Sequence, residues 1–277
     1  MKPPPFEYHA PATVDEALEL LAGGNGTRAL AGGQSLLQLM KFKQVRPSAL
    51  VDLNGISGLE LLEERDGELH VGALVRQQRL LEDDLVSGGW PLLREAARFV
   101  GYKETRRRGT VCGSLAFAAP WAELTAAAVA LDAQVDVRSA AGERTIPARS
   151  FFRGPHETAL EPGELIVRAR FPSPPANSGA SLHEVSARYR DYCQVAAAAV
   201  VSDGRADLVL LRVARTPYHV DASSALDDDA ALDELLAGIE PEDDVEASAA
   251  YRRRVAPVLA RRALAEAAER ARGQETT

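Results

Sequence analysis

The segment "RALAGGQSLLQLMKFKQ" (residues 28–44) places two glycines, a glutamine and a serine between a short apolar run and a second run of leucines. Gly32 and Gly33 can take positive φ without steric cost, so the backbone can turn sharply and present its N–H groups outward. Successive N–H groups in such a turn form a concave nest that favours an anion. The same residues are also typical of a plain tight turn between a strand and a helix. The segment alone leaves both interpretations open.

The overall composition is that of a globular protein with an acidic balance. The 277 residues are 46% hydrophobic and carry a net charge of −8, which argues against a general nucleic-acid binder. We expect two domains, or one large domain with an appendage. No apolar run has the length of a signal-peptide core or of a transmembrane helix, so we expect no membrane span and a cytoplasmic protein.

Metal chemistry is not expected on this chain. Its two cysteines, Cys112 and Cys193, are too few for an iron–sulfur cluster with four cysteine ligands or for a zinc site built on cysteine pairs. The five histidines show no paired metal-ligand spacing. Any metal that takes part in the chemistry must therefore be held by another chain.

Hydrophobic patterning and turn signals predict an α+β chain of two parts. Thr13 and Glu16 have capping-box spacing at the start of a first helix, and "SDGR" (202–205) predicts a hairpin between two strands. The segment "SPPANSG" (173–179) is the best boundary, because its prolines and glycines do not support the interior of an element. We therefore predict one domain over residues 1–176 and a second over residues 177–277. The second is expected to contain a three-stranded antiparallel sheet and helices.

A second glycine-bearing segment, "RRRGTVCGSLAFAAPWAEL" (106–124), has the same kind of composition as the first. Glycines and hydroxyls precede an apolar run, and we expect a turn followed by a helix to about Leu131. Two such loops can converge on one extended anion, such as the pyrophosphate of a dinucleotide. Neither loop has the G-x-G-x-x-G spacing of the Rossmann fold. A phosphate-bearing ligand and a pair of ordinary turns both remain open on these residues alone.

Taken together, "LAGGQSLLQLMKFKQVRPSALVDLNGI" (30–56) and "RRRGTVCGSLAFAAPWAELTAAAVALDA" (106–133) resemble the FAD-binding, medium subunit of the molybdenum hydroxylases. These are enzymes of the carbon monoxide dehydrogenase and xanthine dehydrogenase type. Two further segments, "RYRDYCQVAAAAV" and "YRRRVAPVLARRAL", resemble the family's C-terminal flavoprotein domain. The resemblance implies a FAD-binding domain of two subdomains, of the vanillyl-alcohol oxidase-like type, followed by that C-terminal domain.

The resemblance also implies which residues bind FAD. In the first loop, the residues that would wrap the pyrophosphate are Ala31, Gly32, Gly33, Gln34 and Ser35, with Arg28 near the same phosphates. In the second loop, the matching residues are Thr110, Val111, Cys112, Gly113 and Ser114. Glu123 falls where the family usually places an acidic residue near the flavin's polar chain. Tyr192 occupies a position close to the isoalloxazine ring in some relatives.

Some positions depart from the family's pattern. Gln34 replaces a frequent histidine, and Cys112 replaces the first of two adjacent glycines. Phe117 and Ala119 stand where the family has a histidine and an aspartate. A glutamine amide can still donate a hydrogen bond. The polar contacts around the flavin are therefore altered, while the backbone cradle survives. Glu184, on a predicted strand near the inferred pocket, is either a ring contact or an ordinary strand residue.

The function implied is that of an electron-transfer subunit, with no general acid, nucleophile or metal ligand of its own. A large molybdopterin-binding chain would hydroxylate the substrate, and two [2Fe–2S] clusters on a small chain would pass electrons to the FAD. The reduced flavin would hand them to an external acceptor. The family's assemblies imply a dimer of heterotrimers. The substrate is chosen on the molybdenum chain, and the acceptor is not encoded in these residues.

Three alternatives stay open. A self-sufficient FAD oxidase of the vanillyl-alcohol oxidase type would carry its own substrate pocket. A scaffold that kept the fold and lost flavin is suggested by the altered "TVCGS" (110–114) and "FAAP" (117–120). The third is an α/β protein with two ordinary glycine turns.

Overall fold

The computed structural model of the protein describes residues 2–24 and 26–274. Within these ranges the strands are, in chain order, β1 (Glu7–His9), β2 (Thr27–Leu30), β3 (Ala49–Asp52), β4 (Leu62–Arg65), β5 (Glu68–Gly72), β6 (Gln134–Ser139), β7 (Gly142–Pro147), β8 (Phe152–Gly154), β9 (Glu157–Thr158), β10 (Leu165–Pro172), β11 (Ser178–Ser186), β12 (Cys193–Ser202), β13 (Arg205–Leu211) and β14 (Tyr218–Asp221). The helices are α1 (Val14–Gly23), α2 (Leu36–Lys41), α3 (Arg79–Glu82), α4 (Asp84–Gly89), α5 (Pro91–Phe99), α6 (Lys103–Arg108), α7 (Val111–Phe117), α8 (Glu123–Ala130), α9 (Ala148–Phe151), α10 (Asp229–Leu236) and α11 (Ala249–Gln274).

The N-terminal layer is a parallel sheet of three strands in the order β1-β3-β2, covered by α1. The cap of α1 contains one of the two bonds of a capping box, because the Thr13 side chain accepts the backbone N–H of Glu16 at 3.2 Å, while the Glu16 carboxylate accepts the N–H of Ala12. Strand β2 ends at Leu30, so the first glycine loop leaves the carboxyl end of a parallel strand and runs into α2. Ligands of open α/β sheets commonly bind at such ends.

The middle layer is an antiparallel sheet in the order β4-β5-β10-β6-β7. Helix α8, "ELTAAAVA", is buried along its whole length between helices α5 and α7 and the strands β12 and β13 of the C-terminal sheet. A helix that is apolar all round has to be enclosed in this way. The single helix that the sequence predicts up to Leu131 is wrong: α7 ends at Phe117, its C-cap Ala118 has φ of +47°, and Pro120 follows before α8 begins. Proline cannot continue the hydrogen-bond ladder of α7.

The C-terminal sheet corrects the predicted strand count. It contains four strands, β11-β12-β13-β14, and not three, because β14 pairs antiparallel with β13. The four residues of β14 are "YHVD", which is too short and too polar to stand out as a strand. The hairpin predicted at "SDGR" is confirmed, with φ of +49° at Asp203 and +76° at Gly204.

The C-terminal sheet is covered on both faces, because α11 packs on one side and helices α5 and α8 pack on the other. Alternate residues of β12 point to opposite sides: Ala196 and Ala198 join the main core, while Ala197 and Ala199 join the core under α11. The predicted boundary falls in the connection between β10 and β11, and the main core crosses it. The division at residue 176 stays a prediction. Among the described helices, none has the length and apolar character needed to cross a membrane.

Candidate functional site

The first glycine loop is an open turn with unpaired backbone donors. Gly33 has φ of +70°, and residues 31–35 are all half-buried. Within the described parts of the chain, no acceptor takes the backbone N–H of Gly32, Gly33, Gln34 or Ser35. The Gln34 side chain folds back, with its Nε2 3.4 Å from the Gly32 carbonyl oxygen. A row of free N–H groups in a turn of this kind is a nest suited to an anion.

This loop lies directly on the segment that leads into the second loop. A Cβ atom added to Gly32 would lie 2.2 Å from the carbonyl oxygen of Arg108 and 2.8 Å from the Cα of Gly109. Both are backbone atoms, which cannot swing aside as a flexible side chain would. The structure therefore brings the two predicted loops together, and only glycine fits at position 32.

A polar network holds this junction in place, and it contains residues that the sequence analysis does not identify as site residues. Arg76 donates to the Arg108 carbonyl oxygen at 2.6 Å and to Oδ1 of Asn54 at 2.5 Å. The Nδ2 of Asn54 donates to the carbonyl oxygen of Ala31 at 2.9 Å and to Oδ1 of Asp52 at 2.5 Å. The network thus joins the backbone of the first loop to the backbone before the second.

Only one end of the network has a local signal in the sequence. Asp52 accepts the backbone N–H of Asn54 at 2.9 Å, which forms an Asx turn between residues that are close in the chain. Partial burial pulls the pKa of Asp52 up, but hydrogen bonds from Tyr8 and Asn54 and the charge of Arg76 outweigh it and hold the pKa below its usual value. Arg76 stands among apolar residues of "GALVRQQ" (72–78), where no pattern marks it.

The second loop is the capped start of α7. The Oγ1 of Thr110 accepts the backbone N–H of Gly113 at 3.0 Å, and Ser114 is half-buried. Val111 and Cys112 point into the main core, so only their backbone can face a ligand. Burial raises the pKa of the Cys112 thiol to about 12, which keeps it protonated. Cys112 is therefore a packing residue of the loop.

A positive charge precedes each loop. Arg28 lies on β2, ahead of the first loop, and its side chain is exposed. Arg108 ends α6, ahead of the second loop, and is also exposed. Cations at these positions favour an anion between the loops.

Tyr192 belongs to a cluster of rings at the far end of α7. Its ring centroid lies 4.5 Å from that of Trp121, at an interplanar angle of 32°. The ring centroids of Trp121 and His156 are 5.6 Å apart, and those of His156 and Phe117 are 4.5 Å apart. The Arg212 guanidinium lies 5.6 Å from the centre of the Trp121 ring. Since α7 is about 10 Å long, this aromatic cluster lies roughly that far from the second loop.

Glu123 faces the contact between the two parts of the chain. It is buried at the start of α8 and hydrogen-bonded to Glu184 of β11. Burial raises the pKa of both carboxyls above the usual 4.5, and the charge of Glu184 raises that of Glu123 further. The buried thiol of Cys193 lies near both carboxyls and also near Arg212 and Arg252. The pair therefore holds a shared proton near neutral pH, and contact of Glu123 with a flavin stays a prediction.

Because of the carboxyl pair, we expect the free energy of unfolding to fall as the pH rises. Because the folded protein binds more protons than the unfolded chain, the stabilisation is complete below pH 4.5 and is lost as the pH rises through the raised pKa. Glu123→Gln removes one charge. At pH 8 its free energy of unfolding is expected to exceed that of the wild type by on the order of 2 kcal/mol. At pH 5 the two proteins should differ little. Urea unfolding at both pH values measures this. Glu234→Gln, at an exposed position of α10, should keep the wild-type pH dependence. An unchanged pH dependence in Glu123→Gln would contradict the shared proton.

The residues present fit a dinucleotide such as FAD. The free N–H groups of the first loop and the two cations suit its pyrophosphate, and the close approach at Gly32 brings the two loops together. Gln77, buried beside Gly109, has an amide oxygen without a hydrogen-bond partner among the described residues, which a bound donor would satisfy. No group of three or more His, Cys, Asp or Glu side chains in the described ranges is arranged to hold a metal ion.

The paired loops on an α+β chain define the class as an FAD-binding flavoprotein. The family model described as "FAD binding domain in molybdopterin dehydrogenase" matches residues 4–174. The chain is 38% identical to the 6-hydroxypseudooxynicotine dehydrogenase complex subunit alpha of Paenarthrobacter nicotinovorans, over 98% of this chain and 97% of that protein. It is 32% identical to the carbon monoxide dehydrogenase medium chain of Afipia carboxidovorans, over 98% and 100% of the two chains.

The solved structures agree with the sequence comparison. A chain of the carbon monoxide dehydrogenase from Hydrogenophaga pseudoflava superposes with a TM-score of 0.93 at 33% identity, over 98% of this chain and 99% of that one. The protein therefore belongs to the family of FAD-binding medium subunits of the molybdenum hydroxylases, of the carbon monoxide dehydrogenase and xanthine dehydrogenase type. It is an oxidoreductase component, as the resemblance implied.

Proposed function

We propose that this chain binds FAD between its two glycine loops and uses it to pass electrons from a small [2Fe–2S] subunit to an external acceptor. A large molybdopterin-binding subunit would complete a heterotrimer, and two heterotrimers would form the assembly. The observation that carries the proposal is the junction at Gly32, where a row of free N–H groups lies against the backbone of Arg108. Similarity over the full length of the carbon monoxide dehydrogenase medium chain supports the partners.

Each loop would contribute differently to the binding of FAD. The backbone N–H groups of Gly32–Ser35 would hold the pyrophosphate, and Arg28 and Arg108 would offset its charge. The hydroxyls of Thr110 and Ser114 can donate to oxygens on the other side. When bound, FAD itself supplies the electron storage, and the protein supplies binding, orientation and electrostatics.

The ring end of the cofactor would lie towards the aromatic cluster. Tyr192 is 53% exposed and rests on Trp121, so its ring can contact a flavin and shield it from water. Glu123 and Glu184 lie beneath that cluster, with Cys193 as a common neighbour. Their shared proton keeps the negative charge near the ring low, which favours a flavin that becomes more negative when it is reduced.

The proposed function predicts that the purified chain binds FAD but oxidises no organic substrate by itself. We expect FAD to be retained and to be bleached by dithionite, because the cradle is complete within this chain. Phenolic alcohols, aldehydes and N-heterocycles should leave the flavin oxidised, because in the proposed assembly substrate is oxidised on the large subunit and its electrons reach this flavin through the small one. Anaerobic absorbance spectra measure both results.

Two outcomes would contradict the proposal in different ways. Reduction of the flavin by an organic substrate, with this chain alone, would indicate a self-sufficient oxidase. Absence of FAD both from the chain alone and from its complex with co-expressed large and small subunits would indicate a scaffold that has lost flavin.

A further inference from the structure

The peptide between Ala31 and Gly32 determines where the nest begins. In a trans peptide the C=O and the N–H point in opposite directions. The carbonyl oxygen of Ala31 is held by the Nδ2 of Asn54 at 2.9 Å. The N–H of Gly32 must therefore point away from Asn54.

Asn54 can hold that carbonyl only if its own amide is fixed. Its Oδ1 accepts from Nη2 of Arg76 at 2.5 Å, and this bond settles which end of the amide faces Ala31. Nη1 of Arg76 donates at the same time to the Arg108 carbonyl oxygen at 2.6 Å. One planar guanidinium thus spans the two loops, which a flexible single-point donor could not do.

Backbone hydrogen bonds on either side of Arg76 fix the position of its guanidinium. Arg76 forms an antiparallel bridge with Thr110, and the neighbouring N–H of Gln77 donates to the carbonyl oxygen of Gly109 at 2.9 Å. Val111 N–H donates to the carbonyl oxygen of Val75 at 3.0 Å. The position of the guanidinium is therefore coupled to the start of the second loop.

We propose that Arg76 is a positioning residue of the FAD site: through Asn54 and the Arg108 carbonyl it sets the direction of the Gly32 N–H and the spacing of the two loops. This inference rests on the proposed function. In this role Arg76 acts through protein acceptors, because one N–H on each of its terminal nitrogens is directed to Asn54 or to the Arg108 carbonyl. Its removal frees the first loop to rotate its peptides while the rest of the fold keeps its core.

The chain offers a matched control at Arg79. Its guanidinium also donates to two backbone carbonyl oxygens, those of Glu60 at 3.1 Å and Leu62 at 3.4 Å, and pairs with Asp83. These partners lie in the turn before β4, at the first residue of β4 and between α3 and α4, away from the loops. Arg79→Met therefore measures the loss of a comparable arginine bridge that does not touch the site.

The test compares the affinities of the full-length apo-chain for FAD and for ADP, which carries a diphosphate but no flavin. Arg76→Met should weaken the affinities for FAD and ADP by the same factor, about 10- to 100-fold. The affinities of Arg79→Met should stay within about threefold of those of the wild type. The melting temperatures of the two apo-variants should be similar. Arg76→Lys keeps the charge but cannot span two acceptors, so it should show most of the loss.

Asn54→Ala provides an independent variant that leaves Arg76 in place. Because the two residues act in series, the double variant should bind FAD no more than about twofold less tightly than Arg76→Met alone. The inference is overturned by additive losses, by rescue in Arg76→Lys, or by equal losses in Arg76→Met and Arg79→Met. A wild-type chain that binds neither FAD nor ADP, alone or in its complex, would instead refute the proposed function, and the inference would fall with it.

Discussion

Gly32→Ala is expected to abolish FAD binding. The added Cβ would lie 2.2 Å from the carbonyl oxygen of Arg108, so either the first loop or the end of α6 has to move. Both are backbone, and the free N–H groups that form the nest belong to the loop that moves. The FAD content of the purified chain, and of its complex with the partner subunits, measures the effect.

Gly88→Ala is the control for this substitution. Nothing lies within 4 Å of a Cβ at Gly88, which is in α4, and alanine is a better helix former than glycine. We expect full FAD content and equal or slightly higher stability in that variant. Normal FAD content in Gly32→Ala would remove the loop junction from the site.

Arg252→Met is expected to destabilise the C-terminal part by about 3 kcal/mol, because it removes three hydrogen bonds made by a buried guanidinium. Arg252 is only 2% exposed. It donates to the Gln194 carbonyl oxygen at 3.1 Å, to the Glu242 carbonyl oxygen, and to Oδ1 of Asp244 at 2.7 Å. Partial burial pulls the pKa of Asp244 up, but Arg252 and two backbone N–H groups bring it down to about 2.

The neighbouring Arg253→Met is the matched control, since Arg253 is exposed on the same turn of α11. Guanidinium chloride unfolding, followed by far-ultraviolet circular dichroism, should show a large loss in the first variant and almost none in the second. Equal midpoints for the two variants would show that the buried arginine contributes no net stability.

Local sequence patterns predicted much of the secondary structure. The Thr13 cap, the hairpin at Asp203 and Gly204 and the turn at Asn54 all depend on residues that are close in the chain. Hydrogen bonds of this kind form between neighbours whatever the rest of the fold does. Strand β14 is not predicted by local patterns. Its four residues have no strong local preference and form a strand only by pairing with β13.

The candidate site was predicted as two loops, and the family resemblance assigned their residues. Neither the loop sequences nor the resemblance indicated which glycine allows the backbones of the two segments to approach each other closely. Gly33 has a positive φ, and Gly113 lies inside α7 against its own cap, but Gly32 is the residue that meets the other loop's backbone. Contact of each residue with FAD stays a prediction.

The sequence by itself determined the glycine turns, the caps and the family, because these follow from residue types at fixed short spacings. Only the tertiary structure decided that Arg76 reaches Arg108 and Asn54, which are 32 and 22 positions away, and that Asn54 reaches Ala31 across 23. It also placed Glu123 against Glu184. The physical reason is that such partners are selected by the packing of whole sheets and helices, whose relative placement no short stretch of the chain encodes.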